Sequence, residues 1–369
     1  MAARAATRTP AANTTQRELG AARPPVRDFA GGRSFVVEWD VRPVFDFMFS
    51  LSPDAGTTDD LPADDRRWLN EAKAALPEDV RADLKVISET EMTVHVASYA
   101  VERPDLRSAD DLVAALQRLS AADLVVAMLG DFDIGPDTAS LARAAVDGDP
   151  SALDTIIAGA GDHAKGLRAI LAEPLETHRR ILSVLEAWAT PFRAIEGRIA
   201  AIGQRDYEAR ARDRATLDSL DLIEQTTGGV RWLPTSGIRR VILAPSYFSR
   251  PYNFLLGGEG WRFFGYPVAD DALDIADPLE PPRSVVRLHR ALGDPTRMRI
   301  LKLLAGRDLY ATEIAQQLEL SKPTIKHHLA LLRAARLVTI TESGAVVYYS
   351  LRRNRLDDAS SELKRFLGA

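Results

Sequence analysis

Apolar positions recur at intervals of three and four residues through most of the chain between residues 62 and 227. Side chains at that spacing share one face of an α-helix, so the pattern predicts a series of amphipathic helices. Helix start signals support this prediction, because proline or a small polar residue precedes several of the apolar runs. The clearest signals are Pro62, Pro77, Ser108, Pro136 and the pair Asp149-Pro150. The greater part of the chain is therefore expected to be helical.

The longest apolar stripe comprises Ile181, Leu185, Trp188, Phe192, Ile195, Ile199 and Ile202. Proline removes a backbone donor and clashes with the preceding turn, so Thr190-Pro191 is expected to divide the stripe between two helices. Such a stripe forms either the core face of a bundle or a dimerising coiled coil. The residues that follow, 203–216, lack apolar a and d positions, which favours the bundle.

Other segments of the same region predict strands. Residues 34–41 alternate apolar and polar side chains, and residues 238–244 and 261–268 are rich in β-branched and aromatic residues. Proline and glycine punctuate the intervening loop, so we expect a small antiparallel sheet that the first strand can join. The aromatic residues here either pack the sheet or line an apolar ligand pocket. They are Tyr247, Phe248, Tyr252, Phe254, Trp261, Phe263, Phe264 and Tyr266.

The segment from residue 284 to the C-terminus has a different order of elements. A helix over 284–292 is followed by Asp294-Pro295, an N-cap and first-turn proline that open a second helix. Residues 312–318 and 325–337 predict two further helices, separated by a tight turn and the capping sequence Ser321-Lys-Pro-Thr. Two strands follow around Ser343-Gly344, which is a hairpin signal, and a final helix spans 356–367. This order of helices and hairpin predicts a winged helix-turn-helix.

Together the patterns predict a fold that is mainly α with small β, divided into four parts. Residues 1–33 are rich in Ala, Arg, Thr and Pro and are expected to form a disordered tail. Residues 34–275 are expected to form an α+β N-terminal regulatory domain, mainly helical with a small antiparallel sheet. Residues 276–283, which are rich in proline, form the predicted linker, and residues 284–369 form the C-terminal winged helix-turn-helix domain.

Charge separates along the same boundary. From residue 283 onward the chain has 16 basic and 8 acidic side chains, whereas residues 34–282 have 25 and 42. The net charge of the whole chain is −5. A small basic module on an acidic body indicates that the module alone binds a polyanion, and double-stranded DNA is the partner that a helix-turn-helix suits.

The residues of this module also carry a family resemblance. The segments RALGDPTRMRILKLLA and TEIAQQLELSKPTIKHHLALLRAARLV, with the YYSL strand, resemble the ArsR family of bacterial transcriptional regulators. The most specific part of the resemblance is residues 321–329. The upstream segments FSRPYN and WRFFGYP look like the long N-terminal region of some actinobacterial ArsR-like regulators. The resemblance implies a dimer that binds an inverted-repeat operator, usually as a repressor that a signal releases.

Helical geometry divides the predicted recognition helix into two faces. Ile325, Leu329, Leu332 and the stem of Arg336 lie within about 60° of one another, and they are expected to pack on the core of the module. The opposite side and the N-terminal end are expected to contact base edges and phosphates. His328 lies on the flank of the core face, where a structural role is favoured over base contact. The predicted DNA-binding residues are Ser321, Lys322, Thr324, Lys326, His327 and Arg333, with Arg352 and Arg353 beside the wing.

The outer helices of the module predict a homodimer. Val285, Leu288 and Leu292 recur at three- and four-residue spacing on the first helix, and Leu363 and Phe366 do so on the last. A small helix-turn-helix core does not need these stripes, so each is expected to have apolar area left for a second subunit.

Several kinds of chemistry are excluded or unsupported. The chain has no cysteine, which excludes thiolate metal sites, redox disulfides and cysteine nucleophiles. The resemblance adds that Tyr310 and Thr312 occupy the cysteine positions of metal-sensing relatives, and that the last helix lacks the histidine of another metal-sensing pattern. His95, His163 and His178 are too scattered for a metal site. No metal, no cofactor and no catalytic residues are predicted, so the chain is not expected to be an enzyme.

Three roles stay open for the N-terminal region. It senses a non-metal ligand or a protein partner, it only builds the dimer, or it is an enzyme fused to a DNA-binding module. Its acidic composition favours a neutral or cationic small-molecule effector over an anionic one. No apolar run approaches the ~18 residues that cross a bilayer, and the N-terminus lacks the apolar segment of a secretory signal. We therefore expect a cytoplasmic protein without membrane contact.

Overall fold

The structure is a computed structural model, and it describes residues 35–57, 60–89, 92–129, 138–160, 164–234, 237–273, 281–343 and 346–368. The predicted tail, most of the predicted linker and the helix start at Pro136 lie outside these residues. The described part is mainly helical with two small sheets, which confirms the predicted fold class.

The N-terminal region surrounds one sheet with helices. Its helices are α1 (Val44–Phe49), α2 (Ala63–Ala74), α3 (Glu78–Glu89), α4 (Met92–Val101), α5 (Ala109–Gln117), α6 (Ala121–Leu129), α7 (Thr138–Val146), α8 (Pro150–Gly159), α9 (Ala164–Ala172), α10 (Pro174–Ala209), α11 (Ala211–Thr216) and α12 (Ser219–Thr227). Its strands are β1 (Val36–Trp39), β2 (Val230–Trp232), β3 (Arg240–Ser246), β4 (Phe254–Gly258) and β5 (Trp261–Pro267). The predicted start signals are confirmed where Ser108 and Asp111 form a capping box on α5 and Asp149 caps α8.

Helix α10 continues through its internal proline, so the expected break at Thr190-Pro191 is wrong. Trp188 and Phe192, which flank this position, are fully buried. Burying two aromatic side chains stabilises the helical path by several kcal/mol, which offsets the cost of about 3 kcal/mol for an interior proline. The apolar stripe of α10 lies in the core of its own chain, which confirms the bundle over the coiled coil.

The sheet of the N-terminal region has the strand order β1-β3-β5-β4. β1 is parallel to β3, β3 is parallel to β5, and β4 is antiparallel to β5. The predicted strands are present, but the expectation of an antiparallel sheet is wrong because the sheet is mixed. Parallel pairing of β1 with β3 is possible because the helices α1 to α12 lie between them in the chain and form a long crossover connection.

The two faces of this sheet bury different clusters of side chains. Ile242 and Phe263 lie in the core that the helices form, where the rings of Phe45 and Phe263 are 4.7 Å apart. Leu243 and Phe264 face a second cluster on the other side. Of the eight aromatic residues between positions 247 and 266, only Tyr252 and Phe254 are half-buried, and the other six are buried. These aromatic residues therefore pack the sheet.

The C-terminal module contains the predicted elements of a winged helix-turn-helix. Its helices are α13 (Arg283–Leu292), α14 (Pro295–Leu304), α15 (Ala311–Leu318), α16 (Lys322–Ala334) and α17 (Asn354–Leu367). Its strands are β6 (Leu309–Tyr310), β7 (Val338–Ser343) and β8 (Val346–Leu351). Asp294 caps α14 with Pro295 in the first turn, as predicted.

The two regions share a sheet. β2, from the N-terminal region, lies parallel to the wing strand β7 in a sheet of order β2-β7-β8-β6. The Ile340 amide donates to the Gly229 carbonyl at 2.9 Å, and the Ile340 side chain is buried with Val230 and Trp232. Gly229 has φ 122°, and a Cβ there would lie 3.1 Å from Thr339 Cγ2, so glycine permits this close approach. The short strand β2 was not predicted, and it joins the regions independently of the linker.

Ion pairs also cross between the regions. Asp270 pairs with Arg250 of the N-terminal region and accepts from the Ser284 amide of α13 at 2.8 Å. Arg287 of α13 pairs with Asp60 and lies 3.7 Å from Asp270. Burial alone would raise the pKa of Asp270, but the guanidiniums of Arg250 and Arg287 hold it below its ordinary value. Asp270 is therefore a charged link between the regions.

Candidate nucleic-acid interface

Helices α15 and α16 form the helix-turn-helix. The turn holds Glu319 in the left-handed conformation, with φ 57°, and the Leu320 amide donates to the Ala315 carbonyl at 3.0 Å. Leu318 before the turn and Ile325 after it are buried in one core. The turn and this core together fix the orientation of α16 relative to α15.

Ser321 determines where the recognition helix α16 begins. Its Oγ accepts a hydrogen bond from the Thr324 amide at 3.2 Å and lies 2.7 Å from Thr324 Oγ1. Pro323 follows in the first turn, where its missing amide hydrogen leaves no bond unmade. The hydroxyls of Ser321 and Thr324 are thus held at the exposed tip of the helix.

The two predicted faces of α16 separate clearly in the structure. Ile325, Leu329 and Leu332 are at most 1% exposed and pack on the module. The residues that the sequence places on the opposite side and at the tip are all exposed, and they are Ser321, Lys322, Thr324, Lys326 and His327. The structure therefore brings these five predicted DNA-binding residues together on one solvent-facing surface.

His328 lies apart from this surface. It is half-buried, and its Nδ1 has no hydrogen-bond partner among the described residues. Burial lowers the pKa of His328, while the carboxylate of Asp294 at the start of α14 opposes that shift. Its position beside α14 is that of a packing residue.

The other predicted basic contacts are placed differently. Arg333 lies on the inner side of α16, where its Nε is buried without a hydrogen-bond partner in the described part of the chain. Burial lowers the pKa of Arg333, and its electrostatic neighbours are the hydroxyls of Tyr349 and Tyr252. Arg352 is half-buried, whereas Arg353 is exposed and donates to the Ala305 carbonyl at 2.6 Å. The structure therefore separates Arg333 from the exposed surface of α16.

The predicted dimer residues fall into two groups. Val285 and Leu288 on α13 are 5% and 0% exposed within one chain, and Leu292 packs on the same core. Val285 and Leu288 are therefore covered within the chain, whereas Leu292 is half-buried, so little apolar area of the α13 stripe is left for a partner. Leu363 and Phe366 on α17 are half-buried.

On the rest of α17 the apolar side chains are more exposed. Leu356 is 43% exposed and Leu367 is 65% exposed. They lie on the same side of the helix as Leu363 at helical spacing. This stripe is the remaining apolar surface of the predicted dimer helices.

Metal-ligating side chains are not grouped in the structure. Among the described residues, no three His, Asp or Glu side chains lie together as metal ligands would. His95 is buried, and His178 Nε2 lies 3.3 Å from the Leu116 carbonyl oxygen. Of the two residues that the resemblance compares with cysteines, Tyr310 places its hydroxyl 3.0 Å from that of Tyr348, and Thr312 is exposed.

Comparison with known proteins gives matches in the C-terminal module. Residues 294–339 match the family model described as "Bacterial regulatory protein, arsR family". The transcriptional repressor SdpR of Bacillus subtilis (strain 168) is 40% identical over 80 residues, which is 22% of this chain and 89% of SdpR. The chain belongs to the ArsR family. It is therefore a DNA-binding transcriptional regulator.

Two mycobacterial members of the ArsR family match the same module over a smaller share of their length. The regulator CmtR of Mycobacterium bovis (strain ATCC BAA-935 / AF2122/97) is 40% identical over 80 residues, covering 22% of this chain and 68% of CmtR. The regulator KmtR of Mycobacterium tuberculosis (strain ATCC 25618 / H37Rv) is 38% identical over 72 residues, covering 20% of this chain and 55% of KmtR. The chain thus spans about half the length of KmtR, and these matches do not extend to its own N-terminal region.

The structure also shows residues that sequence reasoning missed. β2 follows Gly228-Gly229 and alternates as Val-Arg-Trp, a signal too short to stand out. Arg66, Arg283, Arg287, Arg290 and Arg297, which are far apart in sequence, line one cleft between the two regions. In the described part of the chain, none of the helices has the length and apolar character that a bilayer crossing requires.

Proposed function

We propose that this ArsR-family protein is a dimeric repressor that reads an inverted-repeat operator with the exposed surface of α16. The observation that carries this proposal is the separation of faces on α16, with Ile325, Leu329 and Leu332 buried and five polar or basic residues exposed. A helix held in this way presents its first turns to the major groove. Repression is supported by the similarity to SdpR, which is named a transcriptional repressor.

The exposed residues have different roles in this proposal. Lys322 and Lys326 neutralise phosphates, which sets affinity and salt dependence. Thr324 and His327 reach base edges, which sets sequence preference. Ser321 positions the helix tip through its cap and offers its hydroxyl to a phosphate. Arg353, near the wing, extends the phosphate contacts from the side.

The test is a binding series with the triple variant Lys322→Ala/Lys326→Ala/His327→Ala. The probe is a duplex that the unmodified protein has selected from a randomised pool, and fluorescence anisotropy measures the Kd. We expect affinity to fall by roughly 100-fold or more, and the salt slope to fall by about two because two phosphate contacts are lost.

The control variant removes lysines of the N-terminal region, Lys85→Ala/Lys165→Ala, both of which are exposed. It should bind the duplex as the unmodified protein does. Equal affinity of the triple variant and this control would exclude α16 as the DNA-reading helix.

We infer that the dimer forms through α17 rather than α13. The exposed stripe of Leu356, Leu363, Phe366 and Leu367 supports this, because the corresponding stripe of α13 is already largely covered. Burying several such side chains on each subunit contributes several kcal/mol before the entropy cost of association.

Leu363→Asp/Phe366→Asp should give a monomer in light scattering and weaken operator binding. Ser361→Asp/Arg365→Gln makes the same charge change on the far side of α17 and should stay dimeric. A monomer for the unmodified protein at micromolar concentration would contradict the dimer.

We infer further that the N-terminal region regulates the DNA-binding module. The shared sheet of β2 and β7 and the ion pairs of Asp60, Asp270 and Arg287 support this, since both fix the module against the region. A ligand that prefers one arrangement of these contacts would change the population of the DNA-binding form. The scaffold alternative is less favoured, because the α10 stripe that would build the dimer is buried in its own chain.

A further inference from the structure

A cleft of about 670 Å³ lies between the N-terminal region and the DNA-binding module. One wall is the start of α2, with Asp60, Leu61 and Arg66. The other wall is α13, with contributions from Arg297 of α14 and Leu331 of α16. Its volume is in the range of about 300–1,000 Å³ that holds a small organic ligand.

The charged side chains that line the cleft are strongly unbalanced. Among the described lining residues there are five arginines and a single carboxylate. The arginines are Arg66, Arg283, Arg287, Arg290 and Arg297, and the carboxylate is Asp60. The guanidinium of arginine presents a planar fork of donors that matches the oxygens of carboxylate and phosphate groups.

The nearby carboxylates are already engaged by the protein. Asp60 pairs with Arg287, and Asp270 is shared between Arg250 and Arg287. Asp294 caps α14 by accepting from the Arg297 amide at 2.9 Å. These contacts hold the two walls together, and arginine is the main charged residue type among the described lining residues of the cleft.

Positive charge also accumulates behind the α13 wall. Burial and the guanidiniums of Arg210, Arg287, Arg352 and Arg355 together lower the pKa of Arg336 to about 10. Arg287 belongs both to this group and to the cleft.

We propose that this cleft binds an anionic small molecule carrying carboxylate or phosphate groups. The ligand contacts both regions at once, with Arg66 on one wall and Arg283 and Arg290 on the other. The overall acidity of the N-terminal region predicts the opposite, a neutral or cationic effector. The local charge decides here, because at physiological salt exposed charges beyond about 8 Å are largely screened.

The test uses the full chain, with citrate and pyrophosphate as probes, in isothermal titration calorimetry at constant ionic strength and without DNA. We expect one saturable site in the unmodified protein. Arg283→Gln/Arg290→Gln should weaken binding by about tenfold or more, because two charge-assisted contacts are lost. Arg283→Lys/Arg290→Lys keeps the charge without the planar fork and should recover part of the affinity.

The matched control is Arg118→Gln/Arg168→Gln, which removes two exposed arginines far from the cleft in sequence. It should bind both probes as the unmodified protein does. Circular dichroism melting of each variant verifies that it is folded. Absence of saturable binding, or equal affinity of the cleft variant and the control, would overturn the proposal.

A duplex of random sequence distinguishes a free anion from the phosphates of DNA. We expect Arg283→Gln/Arg290→Gln to bind this duplex as the unmodified protein does. Weakened duplex binding in that variant, with no citrate or pyrophosphate binding by the unmodified protein, would assign the arginines to the DNA backbone and overturn the proposal. The anion measurement contains no operator, so its failure is distinct from a failure of the proposed function.

Discussion

The two ends of the recognition helix differ in their surroundings. Lys322 and Lys326, near its start, are exposed to solvent. Arg333 in its last turn and Arg336 just beyond its end are half-buried, and burial lowers the pKa of both. All four are basic residues of one continuous segment. Helical spacing places the stem of Arg336 on the core face, but it does not separate Arg333 from the residues assigned to DNA. The tertiary contacts around the C-terminal end of the helix decide which positive charges are available to DNA.

The difference also concerns stability. An exposed lysine keeps its hydration, so its charge changes the free energy of unfolding only slightly. Arg336 is half-buried, and burial together with the charge of nearby guanidiniums lowers its pKa to about 10. The buried end of the helix therefore carries an energetic cost that the exposed end does not.

The largest expected effect comes from breaking the cluster through which β2 joins the N-terminal region to the wing sheet. Trp232 on β2 is 5% exposed and packs edge-to-face on Phe35 in the shared cluster. Trp232→Ala should lower the free energy of unfolding by about 3–5 kcal/mol in urea titrations followed by circular dichroism. Leu233→Ala, at the adjacent 37% exposed position, should change it by less than about 0.5 kcal/mol. Equal effects of the two variants would show that the shared cluster does not hold the regions together.

The next effect tests the energetic difference between the two ends of the helix. Arg336→Met removes a half-buried charge among like charges and should raise the free energy of unfolding at neutral pH by about 1–3 kcal/mol. A folded-state pKa near 10 lies below the ordinary arginine value. Between that pH and the ordinary arginine pKa, the unfolded chain keeps a proton that the folded chain has released. The free energy of unfolding of the unmodified protein therefore rises with pH, and its difference from that of the variant becomes smaller. A destabilised variant at neutral pH would contradict this account of Arg336.

The smallest effect compares the two ends directly. Lys326→Met should reduce the salt slope of DNA binding by about one and leave the free energy of unfolding within about 0.5 kcal/mol. Arg333→Met should leave the salt slope unchanged, because Arg333 is half-buried with its Nε on the inner side of α16. Fluorescence anisotropy over a range of salt concentrations measures both. A lower slope for the Arg333 variant would place that residue against the DNA backbone.

The recognition module was largely predictable because its signals are local. Ser321 caps α16, Asp294 caps α14, and the strands flank Ser343-Gly344, each within a few residues of the element it defines. The two faces of α16 also follow from helical spacing. Short-range hydrogen bonds and periodicity depend only on neighbouring residues, so the sequence by itself determined this module and the family to which it belongs.

The arrangement of the N-terminal region depends on partners far apart in the chain. The parallel pairing of β1 with β3, the continuation of α10 through Pro191 and the addition of β2 to the wing sheet rest on contacts across long sequence separations. The same holds for the burial of Arg333 and for the arginine-lined cleft. Only the tertiary structure decided these features, because burial and pairing depend on which surfaces meet and local propensity does not specify that.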